Sequence, residues 1–283
     1  MFRRTFSSAL AFSVISAFTG QAFAFDAPEL SMLRETFSAG VPMQYQIALT
    51  PEMQAAQDAA IKSYPEVQAL VAPEFLVVVN RHAKVQSMSV VLTDGKIIHY
   101  IGSAKVSTGD LNRKKYFATP IGLFENKREY GNYRAQGTKN ENGIRGFGKK
   151  GMRVFDFGWQ DSVASWGARG PASIRLLIHA TDPDVLEARL GATASQGCVR
   201  IQTGVNVFLD EYGVLDKNYL PSATDAPGWV LSKKKKFDKY EGRYMIVMEQ
   251  APAIVAPVVQ TPATVSTRTA PVASVGTTPA AAR

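Results

Sequence analysis

Apolar residues gather in short runs separated by turn-forming residues, a pattern typical of β-strands. Six runs stand out, at residues 75–79, 85–92, 96–101, 154–159, 174–178 and 244–248. An Asp94-Gly95 pair between the second and third runs is a typical hairpin turn, because glycine adopts positive φ at little cost. The pattern therefore indicates a strand-rich domain.

Two segments show helical spacing instead. Residues 51–63 carry a modest apolar stripe, and Pro51 suits the first turn of a helix that Tyr64-Pro65 is expected to end. Residues 203–212 form a second, more amphipathic segment. The first helix belongs to a partly helical N-terminal extension, residues 25–72. We expect this extension to pack on the main domain as a brace rather than to form a separate binding module.

Composition and charge narrow the choice of partners. The chain has 283 residues, 46% of them hydrophobic, and a formal net charge of +8. That length can bury a sizeable core, and the basic balance suits anionic polymers in general. The sequence has no glycine-rich phosphate loop, no zinc-type Cys/His spacing and no RNA-binding aromatic signature. We therefore expect no nucleic-acid partner, no metal and no other cofactor.

The two ends of the chain have their own compositions. Arginines at 3–4, an apolar stretch at 9–18 and a small-x-small site at 22–24 predict a cleavable signal peptide over residues 1–24. The apolar stretch is shorter than the roughly twenty residues of a membrane span. We expect a Sec-type signal, no transmembrane anchor and a periplasmic mature protein. Residues 250–283 are rich in Ala, Pro, Thr and Val, which predicts a disordered tail.

Cys198 is the only cysteine of the chain. An unpaired cysteine in an exported protein indicates a reactive thiol or an intermolecular bridge, and the alternative is a buried, inert residue. Small residues before it and Arg200 after it form a setting expected to lower the thiol pKa and leave the sulfur accessible. His179, which directly follows the 174–178 run, is a candidate base for this thiol.

The stretch from His179 to Arg200 resembles the signature of the L,D-transpeptidase (YkuD-type) family. That signature is a histidine, a spacer, Ser/Thr-His-Gly-Cys, a hydrophobic residue and Asn or Arg. Here the spacer is residues 180–194, and Ser195-Gln196-Gly197-Cys198-Val199-Arg200 follows it. Gln196 departs from the pattern, because the family usually has histidine there. Residues 106–109 and 119–122 resemble further family elements, and we interpret them as structural turns.

The resemblance implies a mostly β fold with few helices, a YkuD-like β-sandwich or barrel, over residues 73–249. It implies a peptidoglycan L,D-transpeptidase that releases the terminal D-alanine of a tetrapeptide stem and passes the acyl group to an amine of a neighbouring stem. Cys198 is the implied nucleophile and His179 the implied base. The implied supporting roles are an oxyanion-binding turn of Ser195, Gln196 and Gly197, an orienting carbonyl at Ala180, and carboxylate binding or turn bracing by Arg200. The implied oxyanion donors are the backbone N–H groups of Gln196, Gly197 and Cys198.

Several alternatives stay open at this point. A member of the same family can act as an L,D-carboxypeptidase or detach a protein from the wall, and a non-enzymatic wall-binding protein is a third reading. The crosslink type, 3-3 or 1-3, is also open. We expect the partners to be peptidoglycan stem peptides, carbapenem-type inhibitors to acylate Cys198, and the protein to be a monomer.

Residues 126–150 form a long polar segment that mixes aromatic rings with positive charge. Long segments of this kind in compact domains are usually functional or disordered. One interpretation is a lid over the cleft that binds glycan on its rings and a peptide carboxylate on Arg134 and Arg145. The other is a solvated insertion.

Overall fold

The computed structural model describes residues 25–167, 169–220 and 229–252. The predicted signal peptide and all but the first residues of the predicted tail lie outside these ranges. Within them the chain is mostly β and forms two sheets with four α-helices, which confirms the predicted fold class. No helix in the described part of the chain is long and apolar enough to cross a membrane.

The structure contains the predicted helices and strands and adds further elements, among them a first helix that the sequence pattern did not indicate. The helices are α1 (Ala27–Gly40), α2 (Pro51–Lys62), α3 (Pro65–Gln68) and α4 (Thr203–Glu211). The strands are β1 (Glu74–Asn80), β2 (Ser87–Thr93), β3 (Ile98–Lys105), β4 (Gly122–Glu125), β5 (Tyr133–Arg134), β6 (Arg153–Val163), β7 (Pro171–Ala180), β8 (Val199–Ile201) and β9 (Tyr244–Met248).

The first sheet has the strand order β3-β2-β1-β9-β4. Its central strand β1 is antiparallel to β2 and parallel to β9, so the last strand of the domain inserts between β1 and β4. Every residue of β1 is buried. Burial on both faces explains why its sequence is a continuous apolar run rather than an alternating one.

The second sheet has the order β5-β6-β7-β8, in which β7 and β8 run parallel. Its inner face packs against the first sheet through alternate residues of the strands. Leu176 and Ile178 of β7 and Val199 and Ile201 of β8 lie in the main core. The residues between them in sequence therefore point to the outer face of this sheet.

The N-terminal extension packs on the domain in two places. Leu33 and Phe37 of α1 lie in the main core, whereas Ile61 of α2 and Val67 after it cover the outer face of the first sheet. The Thr50 hydroxyl caps α2 by accepting a hydrogen bond from the N–H of Met53. The outer face of the second sheet packs against a different set of residues.

Candidate active site

The outer face of the second sheet brings the predicted catalytic residues together. Strand register aligns Tyr133, Val154, His179 and Arg200 in one row across β5, β6, β7 and β8. Cys198 directly precedes β8, so it lies beside Leu177 in the next row. Leu177 and Cys198 do pack in one small apolar cluster, separate from the main core.

His179 and Cys198 are therefore diagonal neighbours on one face. Ile178 is paired with Val199. His179 lies one position after this pair on β7, and Cys198 lies one position before it, immediately ahead of β8. Residues placed in this way project from the same face of the sheet on adjacent strands. Arg200 lies close enough to act electrostatically on both groups. The nineteen-position gap in sequence is thus closed by two adjacent parallel strands.

The imidazole of His179 is held in one orientation. Its Nδ1 is 2.8 Å from the carbonyl oxygen of Ala180, so the N–H is at Nδ1 and Nε2 is left as the basic nitrogen. The Phe147 ring covers it edge-on, with the ring centroids 4.7 Å apart. Burial lowers the pKa of His179 to about 4, the Arg200 charge acting in the same direction. The imidazole is therefore neutral at physiological pH.

The thiol of Cys198 is also neutral at rest. Burial raises its pKa to about 11, although the N–H of Leu177 and the charge of Arg200 act in the opposite direction. The expectation of a lowered thiol pKa is therefore wrong, because desolvation outweighs the nearby positive charge. The sulfur lies 3.9 Å from the carbonyl oxygen of Arg175, and the described structure has no hydrogen bond between the thiol and His179.

The turn before the nucleophile is held by hydroxyl groups on both sides. The Ser195 hydroxyl accepts a hydrogen bond from Gly197 N–H at 3.0 Å and donates one to the Cys198 carbonyl at 2.5 Å. The Thr119 hydroxyl donates to the Gly197 carbonyl at 2.8 Å. Gly197 has φ of +123°, and a Cβ there would lie 2.7 Å from Ile174 Cδ1, so the position requires glycine.

These bonds decide which N–H groups of the turn are available as oxyanion donors. Gly197 N–H is already bonded to Ser195, which differs from the expectation that it faces a reacting carbonyl. The N–H groups of Gln196 and Cys198 make no hydrogen bond within the described residues. The side chain of Gln196 is exposed, so the residue that replaces the usual histidine faces solvent.

Arg200 braces the turn and adds positive charge. Its guanidinium donates to the carbonyl of Ala194 at 3.2 Å, and its backbone forms a two-way bridge with Ser107. Burial lowers the pKa of Arg200, while Cys198 raises it. Of the two roles predicted for this residue, the structure contains the contact needed for bracing. Residues 106–109, predicted to be structural, lie alongside this turn.

The segment after β5 packs over the His179 end of the face. Gly148 approaches so closely that a Cβ there would lie 2.8 Å from Ala180 Cβ, and its φ is +81°. Arg145 anchors the segment by pairing with Asp182 and Asp184. Arg134 likewise pairs with Asp210. Both guanidiniums thus hold carboxylates of the chain itself, which leaves neither as a free cation for a peptide carboxylate.

A cleft of about 680 Å³ opens beside this cover. Tyr133, Phe147 and Trp229 line it, together with residues 135–140 and Gly148. Phe147 therefore contacts both the cleft and the His179 ring. Cys198 is not among the residues that line this cleft.

Two charged residues of the site were missed in the sequence. Asp156 is fully buried on the outer face of β6, and Arg175 of β7 pairs with it through Nε at 2.6 Å. Asp156 acts on the pKa values of both Cys198 and Tyr133, raising each of them. The sequence does indicate this pair, because Asp156 and Arg175 are oppositely charged residues inside the two apolar runs 154–159 and 174–178. In the described ranges, no cluster of His, Cys, Asp and Glu is arranged to hold a metal ion.

Comparison with known proteins agrees with this geometry. Residues 74–208 match the family model of the YkuD L,D-transpeptidase catalytic domain. No curated protein sequence matches this chain. Among solved structures, the chain is similar to a fused Zn-dependent amidase/peptidase/peptidoglycan-binding domain-containing protein from Clostridium acetobutylicum ATCC 824, at 15% identity and a TM-score of 0.33. The alignment covers 74% of this chain and 66% of that one, less than two thirds, and a similarity this weak carries no functional argument.

Proposed function

We propose that this chain, whose residues 74–208 match the family model of the YkuD L,D-transpeptidase catalytic domain, crosslinks peptidoglycan stem peptides with Cys198 as its nucleophile. The observation that carries the proposal is the placement of the single cysteine beside a buried, neutral histidine on one face of the second sheet. A neutral imidazole is the form that accepts a proton, and a half-buried thiol is still open to a substrate carbonyl.

The first half of the reaction forms a thioester. The sulfur of Cys198 attacks the carbonyl carbon that precedes the terminal D-alanine of a donor tetrapeptide, and the thiol proton moves to Nε2 of His179. Because both groups are neutral at rest, proton transfer accompanies the attack rather than preceding it. The carbonyl oxygen becomes an oxyanion, which the N–H groups of Gln196 and Cys198 stabilise. The C–N bond then breaks, and D-alanine leaves with the proton from His179.

The second half transfers the acyl group. An amine of a neighbouring stem attacks the thioester carbonyl, and His179 takes a proton from the amine. A second oxyanion collapses, the C–S bond breaks, and the proton returns to the sulfur. The product is a new amide bond between two stems, and no cofactor takes part. Water in place of the amine gives a shortened monomer, the product of an L,D-carboxypeptidase.

The cellular setting of the proposal follows from the sequence. Residues 1–24 act as a signal peptide, so the mature chain works in the periplasm on existing wall material. The outer face of the second sheet holds both the catalytic pair and the two exposed residues Trp159 and Arg175. The guanidinium of Arg175 is half-exposed but pairs with Asp156, so it is not a free cation for a stem-peptide carboxylate.

Carbapenem acylation distinguishes an enzyme from a wall-binding protein. We expect incubation with a carbapenem to add one inhibitor mass to the intact protein, and peptide mapping to locate it on Cys198. Cys198→Ala is the control. An unmodified wild-type protein, or an adduct that persists in Cys198→Ala, contradicts the proposal.

Product analysis distinguishes transfer to an amine from transfer to water. The purified protein is incubated with disaccharide-tetrapeptides, and the products are separated and identified by mass spectrometry. We expect dimers that have lost one D-alanine. Shortened monomers without dimers indicate a carboxypeptidase. Fragmentation of dimers formed from purified wall identifies the crosslink as 3-3 or 1-3.

A further inference from the structure

Thr119 is bonded to the nucleophile turn and lies outside the cleft lined by Tyr133 and Phe147. It is 1% exposed, and 78 positions separate it from Gly197 in the sequence. Its hydroxyl accepts a hydrogen bond from Gly109 N–H at 2.9 Å. The single hydroxyl proton is therefore directed to the carbonyl oxygen of Gly197, 2.8 Å away.

The bond to the Gly197 carbonyl sets the direction of another group. The carbonyl of Gly197 and the N–H of Cys198 belong to one peptide unit. In a planar trans peptide these two groups point in opposite directions. Fixing the carbonyl towards Thr119 consequently directs the Cys198 N–H away from Thr119, out of the turn. That N–H makes no hydrogen bond within the described residues.

Among the described residues, no other side-chain hydrogen bond holds this peptide unit. Ser195 holds the Gly197 N–H and the Cys198 carbonyl, which belong to the two flanking peptide units. Gly197 itself has no side chain to restrict rotation, and its φ of +123° lies in a region open to glycine. Thr119 is thus the one side chain among the described residues that holds the peptide between Gly197 and Cys198.

The backbone of Thr119 and of the neighbouring segments is held by its own hydrogen bonds. Its backbone carbonyl accepts a hydrogen bond from Arg81, which pairs with Glu249 just after β9. Buried Gln86 holds Thr108, which in turn accepts the N–H of Ser195. The hydroxyl of Thr119 is therefore a fixed point of the scaffold on which the peptide of the turn rests.

We propose that Thr119 is a positioning residue for acyl transfer: its hydroxyl orients the Cys198 N–H as an oxyanion donor by fixing the Gly197 carbonyl. This role rests on the proposed function, because an oxyanion forms only when Cys198 attacks a carbonyl. Alkylation of the same sulfur by iodoacetamide displaces iodide and forms no oxyanion. The two reactions at one atom therefore separate donor positioning from general damage to the site.

The test compares Thr119→Val, which removes the hydroxyl at nearly constant volume, with Thr119→Ser, which retains it. For each variant the rate of carbapenem acylation and the rate of iodoacetamide alkylation are measured by intact mass. Thr93→Val is the matched control. Thr93 is likewise buried, accepts the N–H of Gly95 and donates to the carbonyl of Ile97, but at the β2–β3 turn.

We expect Thr119→Val to slow acylation by about tenfold or more, approaching the roughly 100-fold cost of losing an oxyanion donor. Alkylation should stay within about twofold of wild type, Thr119→Ser should restore acylation, and Thr93→Val should change neither rate. Equal acylation by Thr119→Val and wild type overturns the positioning role alone. A parallel fall of both rates, or no rescue by Thr119→Ser, also overturns it. A wild-type protein that is alkylated but never acylated refutes the proposed function as well.

Discussion

Replacing Phe147 by alanine tests how the site keeps its base neutral. The ring of Phe147 lies against the imidazole of His179 at 4.7 Å, and burial is the main cause of the lowered pKa of that imidazole. Removing the ring admits water, so the pKa of His179 is expected to rise from about 4 towards the ordinary value near 6.5. The thiol and the turn keep their own contacts, because neither is bonded to Phe147.

The size of the effect follows from the two pKa values. At pH 5.5 an imidazole with a pKa of about 4 is about 97% neutral, whereas one at about 6.5 is about 9% neutral. Only the neutral form accepts the thiol proton. In the limit of full solvation, acylation by Phe147→Ala at pH 5.5 is therefore about tenfold slower than at pH 8. The wild-type rate is nearly constant over the same interval.

The assay is the rate of carbapenem acylation measured from pH 5 to 8 for both proteins. Phe147→Leu is the control, since leucine keeps an apolar cover over the imidazole and should leave the acidic limb close to that of wild type. NMR titration of the three histidines His82, His99 and His179 gives the pKa directly, with His179→Gln identifying the signal. If the acylation rate depends on pH in the same way for wild type and Phe147→Ala between pH 5 and 6.5, the reasoning is refuted.

Four further outcomes are expected. Gln196→His should change the acylation rate by less than about tenfold, because the side chain at that position is exposed. Ser195→Ala leaves the Gly197 N–H buried without a partner, so urea unfolding should show a loss of about 1–3 kcal/mol together with slower acylation. Ile61→Ala should cost about 2–5 kcal/mol in the same unfolding measurement with unchanged acylation, since α2 packs on the other sheet. As the pH falls from 6.5 to 4, the unfolded state binds the His179 proton first, so wild type should lose up to about 3 kcal/mol that His179→Gln does not lose.

Local pattern was enough to find most of the elements. The closing strand was predicted at 244–248, the same residues that form β9, and the helix predicted from Pro51 ends within one residue of the expected position. These elements are visible because apolar periodicity and proline act over a few residues. The insertion of β9 between β1 and β4 depends on contacts across the whole domain, which no local pattern contains.

The residues of the site that lie in one short motif could be predicted from the sequence, whereas the other features of the site could not. Cys198 and His179 were found from their motif, and the adjacent strands β7 and β8 bring them together. The pKa of the thiol was predicted in the wrong direction, since a positive neighbour is visible in sequence and the depth of burial is not. The bond from Thr119 to Gly197 spans 78 positions, and only the folded chain reveals it.

The most direct measurement is the mass of the acyl-enzyme formed from a natural donor. The full-length mature protein is incubated with a disaccharide-tetrapeptide in the absence of an acceptor, quenched in acid and mapped by mass spectrometry. The account predicts a thioester on Cys198 whose mass corresponds to the stem without its terminal D-alanine, and no adduct on Cys198→Ala. A folded wild-type protein that never carries this adduct, or that carries it at another residue, contradicts the account.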